Sequence, residues 1–351
     1  MIVVNGFRTL WQSGSSLARI GVALLCSVFM IFSACKRDNQ ATRNDEASKP
    51  HNSSLSVVRI VPKWEDQAQF AGLYVAKEKG FFARREIDAE ILPGGTELLA
   101  MPALNNGEAD FAILHLLTVL KSPATQPQLV NLAQISQKSS LIIAARKDFG
   151  INKLVDLKYK RIGLWKGDYQ EPSLIFNRKY HLEMDIINID SSVNLLISGL
   201  VEAMNVMRYN ELHQLYQAGM DEEDLLLFPF SELGLNIPED GLYTTEQYYL
   251  ANPDLCRDVA DALMEGWLYA INNEEEALDI VLEVMRKNGL SANRPHQKWM
   301  LKEMKEVILA RPGVFGSLEK NSFDETKSLL SEGGYSPSTI SYERFYPYVK
   351  K

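Results

Sequence analysis

From residue 57 onward, short apolar runs alternate with segments of helical spacing, the pattern of β–α units and a mostly parallel sheet. Val57–Val61 is a β-branched strand, and Gln67–Lys79 a helix closed by Gly80. Further strands are expected at Ala89–Leu92, Asp110–Leu114, Leu129–Ile135 and Leu141–Ala145, with Thr96 as a helix N-cap after the Pro93-Gly94-Gly95 turn. The pattern then restarts. Arg161–Leu164, Ile186–Ile189, Ala203–Met207 and Leu225–Phe228 read as strands, and Ser173–Tyr180, Val193–Leu200 and Glu211–Ala218 as the helices among them. After Tyr243 the chain reads as mainly helical. Asn252-Pro253 opens a long helix, and Glu274–Lys287 and His296–Ala310 follow. Two successive α/β sets of similar size predict two lobes.

The first residues have a different pattern. Residues 1–34 hold Arg8 and Arg19 but no acid, and a 13-residue apolar run from Ile20 to Phe32 leads to Ser33-Ala34-Cys35. A positive start, a short apolar core and small residues before a break make a secretory signal. With Cys placed after Ser-Ala, the segment resembles a bacterial lipoprotein signal, which is cleaved before the cysteine and carries lipid on its thiol. It departs from that pattern at Phe32, where Leu is usual. An ordinary secretory signal and an uncleaved short anchor are the alternatives. Residues 36–56 are polar without apolar periodicity, as in a flexible tether. The expected location is the cell envelope, on the periplasmic or extracellular face, held by a lipid anchor that does not span the bilayer.

Composition narrows the function classes. The chain has 351 residues, 46% of them apolar, enough for a sizeable core. Its net charge of −8, with no basic run, argues against nucleic acid. Of three cysteines, Cys26 lies in the signal and Cys35 at its end, leaving Cys256 and no internal disulfide. The P-loop, GxGxxG, GxSxG and HExxH signatures are missing, and the His residues show no metal-ligand spacing. Neither catalysis nor a cofactor or metal is expected.

Four pieces in order carry a resemblance: Trp64-Glu65-Asp66-Gln67-Ala68-Gln69-Phe70 through Gly80-Phe81-Phe82, then Pro93-Gly94-Gly95, then Gly107-Glu108-Ala109-Asp110-Phe111, then Ala203-Met204 leading to Tyr209-Asn210-Glu211. Together they resemble periplasmic solute-binding proteins of ABC importers for thiamine precursors and alkanesulfonates, over roughly residues 57–250. The resemblance implies an α/β fold: a two-lobed, type II-like clamp with two hinge crossovers that closes on a ligand. It places residues 57–145 in lobe 1, 146–241 in lobe 2, and 242–351 in a return to lobe 1 with C-terminal helices. It also implies a monomer that delivers its ligand to an ABC permease served by a separate ATPase subunit. The implied ligand is a small heteroaromatic such as a thiamine-related pyrimidine or a flavin. An enzyme like thiamine pyrimidine synthase, or a sulfonate or nitrate binder, are the alternatives of the same fold.

Ligands of open α/β sheets lie beyond the carboxyl ends of the strands. Trp64, Gln67, Gln69, His115, Trp165, Asp168, Tyr209, Asn210 and Glu211 all follow such ends and are the candidate ligand-binding residues. Trp and Tyr offer stacking faces, the amides offer paired donors and acceptors, and a carboxylate accepts from ring amino groups. Each has a plainer reading: Trp64 and Trp165 as packing at strand ends, and Glu211 as a charge favoured by the helix dipole. Phe70, Tyr74 and Phe81 fit the core, and Gly94-Gly95-Thr96 is either an anion cradle or only a turn. His115 stands where the resembling proteins often carry a small or hydroxyl residue.

Overall fold

The computed structural model describes residues 55–96, 98–123, 126–166 and 170–347. The segment read as a signal, Cys35, the residues up to 54 read as a tether, and Asp168 lie outside the described residues. The chain builds two five-stranded sheets. The first combines β1 (Ser56–Pro62), β2 (Ile87–Ile91), β3 (Phe111–His115), β4 (Leu129–Gln134) and β10 (Asp240–Thr245), in the order β2-β1-β3-β10-β4. The second combines β5 (Leu141–Arg146), β6 (Arg161–Trp165), β7 (Asp185–Ile189), β8 (Ala203–Met207) and β9 (Leu225–Pro229), in the order β7-β6-β8-β5-β9. This is the two-lobed architecture of periplasmic binding proteins.

The sheets are mixed rather than mostly parallel. β1 runs parallel to β2 and β3, and β6 parallel to β7 and β8. The strand that enters each sheet from the other lobe reverses this. β10 is antiparallel to β3 and β4, and β5 is antiparallel to β8 and β9. Leu141–Ala145 therefore belongs to the second sheet, and the boundary expected after residue 145 falls at the crossing 135–140. β10 was not among the expected strands. Its Asp240-Gly241 start reads as a turn, yet both residues pair within the sheet. Thr96 does not cap a helix, because α2 (Ala100–Asn105) begins after Leu99.

Between the strands, α1 (Ala71–Glu78), α2 and α3 (Leu116–Lys121) serve the first sheet, and α4 (Glu171–Lys179), α5 (Asn194–Ile197) and α6 (Glu211–Gln217) the second. The C-terminal part is helical: α7 (Glu246–Ala251), α8 (Pro253–Asn272), α9 (Glu274–Lys287), α10 (Arg294–Ile308), α11 (Lys320–Glu332) and α12 (Tyr342–Phe345). In α8, Cys256, Val259, Ala260, Leu263, Trp267 and Ala270 recur at helical spacing and are buried. This face presses on α1 so closely that no side chain fits at the crossing. A Cβ on Gly72 would lie 2.3 Å from the Trp267 ring, and one on Gly266 would lie 2.0 Å from the Gly72 carbonyl oxygen. The first lobe is thus built from both ends of the chain, so the two segments that cross between the sheets set the geometry of the cleft.

Candidate functional site

The carboxyl ends of β1, β6, β7 and β8 converge on one cleft of about 290 Å³. Trp64, Gln67 and Gln69 line it from the first sheet, and Trp165, Tyr209, Asn210 and Glu211 from the second. Sequence reasoning had named all of these. Thr96, read from the sequence as part of an anion cradle or a turn, lines it too, and Lys63, Lys166, Ile189, Asp190, Ser191 and Met207 complete the wall and were not foreseen. Lys63 and Asp190 were legible by the same rule, since each directly follows a parallel strand, but the reading favoured aromatic and amide groups.

A buried polar chain leads down from the cleft on the first-lobe side. Gln67 Nε2 donates to Gln69 Oε1 at 2.7 Å, and Gln69 Nε2 donates to Asp240 Oδ2 at 2.8 Å. Lys63 Nζ sits 3.2 Å from Asp240 Oδ1 and also contacts His115 Nε2. Burial would raise the Asp240 carboxyl, but the Lys63 ammonium, then His115 and the Gln69 amide, hold it down to about 2. The floor thus carries one cation matched by one anion. His115 does not line this cleft. It lies behind Lys63, beside a small separate cavity bounded by Leu117, Pro172, Met207 and Glu239. It shapes the site through Lys63 and through Asp240, whose Oδ1 lies 3.4 Å from His115 Nε2.

On the second-lobe side Glu211 opens α6. Its Oε2 accepts from the Met207 N–H at 2.9 Å, and its Oε1 from Asn210 Nδ2 at 2.8 Å. Burial pushes its carboxyl up to about 7 against these bonds. A carboxyl poised there can accept from a ligand amino group when ionised and donate to a ring nitrogen when protonated. Both its helix-terminal position and its place in the cleft wall are therefore real.

A second buried carboxylate ties the two crossing segments. Glu239 Oε1 accepts from Ser139 Oγ at 3.0 Å, from the Ser140 N–H at 2.9 Å and from the Leu141 N–H at 3.2 Å, while Oε2 accepts from Ser140 Oγ at 2.6 Å. Burial pushes this carboxyl up to about 7, and the neighbouring Asp240 charge adds to it. Glu239 was missed because Pro238-Glu239-Asp240-Gly241 looks like an exposed turn.

Among the described residues no group of His, Cys, Asp and Glu is arranged to hold a metal ion. Cys256 is buried in α8, and burial pushes its thiol up to about 12, so it stays an inert thiol near neutral pH.

Comparison with known proteins adds the family context. The profile of the family described as NMT1/THI5 like matches residues 67–277. The chain is 23% identical over 271 residues to YtlA of Bacillus subtilis, provisionally named a binding protein, covering 73% of this chain and 75% of that one. It is 22% identical over 179 residues to a Haemophilus influenzae protein provisionally named for thiamine biosynthesis, covering 49% of this chain and 56% of the other. Among solved structures, it resembles the periplasmic aliphatic sulphonate binding protein SsuA of Escherichia coli with a TM-score of 0.62 at 16% identity, over 83% of this chain and 97% of that one. At that identity the match shows a shared fold.

Proposed function

The chain belongs to the NMT1/THI5-like family, and on that premise we propose that it is the substrate-binding lipoprotein of an ABC importer. In this reading it captures a small, flat heteroaromatic ligand, of the thiamine-related pyrimidine kind, between its two lobes and hands it to a permease. Cys35 carries the lipid. The protein acts as a carrier, not an enzyme.

One observation carries the ligand class: indoles from opposite lobes, Trp64 and Trp165, border the same cleft as the amides of Gln67, Gln69 and Asn210 and the Glu211 carboxyl. Rings stack on such faces, and hydrogen bonds in a closed site reject a ligand that leaves them unmade. Charge supports the choice. Lys63 is matched by Asp240, and Lys166 lies 3.2 Å from Asp190, so the wall has little net cation for a sulfonate. A second reading, an anion binder, is favoured by one feature, the Lys63 ammonium at the floor.

A thermal-shift screen of the purified protein against aminopyrimidines, flavins, sulfonates and polyamines separates the two. A ligand at 100 times its Kd stabilises by ~2.7 kcal/mol. Stabilisation and altered Trp emission with an aminopyrimidine are expected. Stabilisation by sulfonates alone would put the anion reading in its place, and steady turnover of any ligand would make the protein an enzyme.

A further inference from the structure

The two lobes also meet beside the cleft mouth, where α6 of the second lobe faces α10 of the first. Helix α10 is anchored to the first lobe, with Gln297 Oε1 accepting from the Ala68 N–H at 2.7 Å. Across the gap the His213 and His296 rings lie nearly parallel, edge to edge, with centroids 5.1 Å apart, and His213 stacks on Trp299 at 4.9 Å. The rings are also hydrogen bonded, Nδ1 to Nδ1, at 2.8 Å. Trp299 Nε1 donates to the Arg208 carbonyl at 2.9 Å.

The polarity of this contact follows from the cleft outward. Asn210 Nδ2 donates to Glu211, so its Oδ1 is the acceptor that faces His296 Nε2 at 3.0 Å. His296 Nε2 must therefore carry hydrogen. In a neutral ring its Nδ1 is then an acceptor, and the shared bond requires the hydrogen on His213 Nδ1. The chain of donors runs His213, His296, Asn210, Glu211, from the interlobe surface into the cleft wall.

We propose that His296 is a positioning residue for the cleft, and that its bond to His213 is a clasp holding the lobes together that protonation of His296 breaks. Protonation of His296 puts hydrogen on both facing Nδ1 atoms, which then repel, and a second charge is placed in a half-buried contact. His296 also fixes the Asn210 amide, and through it the direction in which Glu211 is hydrogen bonded. The clasp thus joins closure to the arrangement of the binding groups.

The groups around the pair permit this. From α6 it is faced by Asn210, by Gln214, whose Nε2 donates to Asn210 Oδ1 at 3.0 Å, and, one bond further in, by Glu211. From α10 it is faced by Trp299, while the charge of Arg208 acts on Glu303. Burial lowers His213, and burial followed by the His213 charge lowers His296 to about 4. In an open clamp the same ring is solvated and titrates near ~6.5. The open form therefore binds the proton more readily. Closure is fully favoured above ~6.5 and is lost as pH falls toward 4, by about 30-fold between pH 8 and pH 5 for His296 alone.

The test uses the full chain without ligand, so its failure would leave the reading of the cleft as a binding site standing. Nitrogen-15 NMR of the histidines reads tautomer and titration, and Trp299 emission, isolated by subtracting Trp299→Phe, reads unstacking. His296 should carry hydrogen on Nε2 and stay neutral to about pH 5. Trp299 emission should shift to the red as His296 takes its proton, below about pH 5, while circular dichroism stays constant. The double variant His213→Phe, His296→Gln keeps the stacked ring and the donor to Asn210 but cannot titrate, and its Trp299 emission should be flat. A His296 that protonates near the ordinary value, or an emission shift that persists in the double variant, would overturn the clasp.

Discussion

The buried Glu239 makes an unusual claim about two substitutions at one position. Glu239→Gln is expected to stabilise the protein at pH 8, and Glu239→Ala to destabilise it. The carboxyl is raised from 4.5 to about 7 by burial, so folding at alkaline pH means ionising a group that resists it. A folded pKa above the unfolded one gives stability that is complete below the unfolded value and is lost as pH rises through the folded value. For this group the loss between pH 5.5 and pH 8 is about 2 kcal/mol. Gln removes that loss and keeps the bonds. Its Oε1 can accept from the Ser140 and Leu141 N–H groups, and its Nε2 can donate to Ser140 Oγ once that hydroxyl turns. Ala removes the acceptor and strands the Ser140 N–H, at about 1–3 kcal/mol, while the Leu141 N–H keeps Ser139 Oγ at 3.2 Å. Urea denaturation of the three proteins at pH 5.5 and pH 8 decides the matter. The gap between wild type and Gln should widen in favour of Gln toward pH 8. If Gln falls as far as Ala, or tracks the wild-type pH slope, Glu239 is ionised without cost in the fold and the burial argument fails.

Other perturbations follow from the packing and the cleft. Gly72→Ala should lower stability by about 1–3 kcal/mol, read by thermal unfolding, because its Cβ would enter the Trp267 ring; an unchanged melting point would mean that α1 and α8 separate freely. Glu211→Gln should raise the Kd for an aminopyrimidine about tenfold, from loss of a charge-assisted bond of ~1.5–3 kcal/mol. Since the Glu211 carboxyl lies at about 7, wild-type affinity should be full above that pH and fall as pH drops through it, measured by titration calorimetry. Equal affinity at pH 6 and pH 8 would leave Glu211 only its bonds to Met207 and Asn210. Cys35→Ala should release the protein from membranes or stall its processing, and unchanged mass and partition in that variant would refute lipidation.

Strand ends were legible where local spacing and burial agree. Ala203–Met207 was read to the residue, because a short apolar run buried on both faces leaves few alternatives. From it the rule of carboxyl ends placed Tyr209, Asn210 and Glu211 in the cleft. What was illegible depends on contacts distant in sequence. β10 begins with an acid and a glycine, which by local preference make a turn. Asp240 is acceptable inside a sheet because Lys63, His115 and Gln69 reach it across the sequence. His115 was placed in the wall by its strand position, but Lys63 stands in front of it, and no spacing rule relates those two residues.

The same limit explains why the interlobe chemistry was missed. A lone His at helical spacing is usually surface or packing, and His213 and His296 each fit that description alone. They acquire a role only because the first lobe is assembled from both ends of the chain. That assembly carries α10, 83 residues after His213 in the pairing of the rings, back over the mouth of the cleft. The three buried acids at the cleft and the crossing segments follow one logic. Asp240 is held ionised by a matched cation, whereas Glu211 and Glu239 have only neutral donors bonded to them and are pushed up to about 7. The Lys63 charge acts on all three, but only Asp240 is in direct contact with it, at 3.2 Å, and has His115 beside it as well. The Lys63–Asp240 ion pair sets the floor of the cleft, and the walls and the crossing segments are left to groups whose protonation can change as the lobes close.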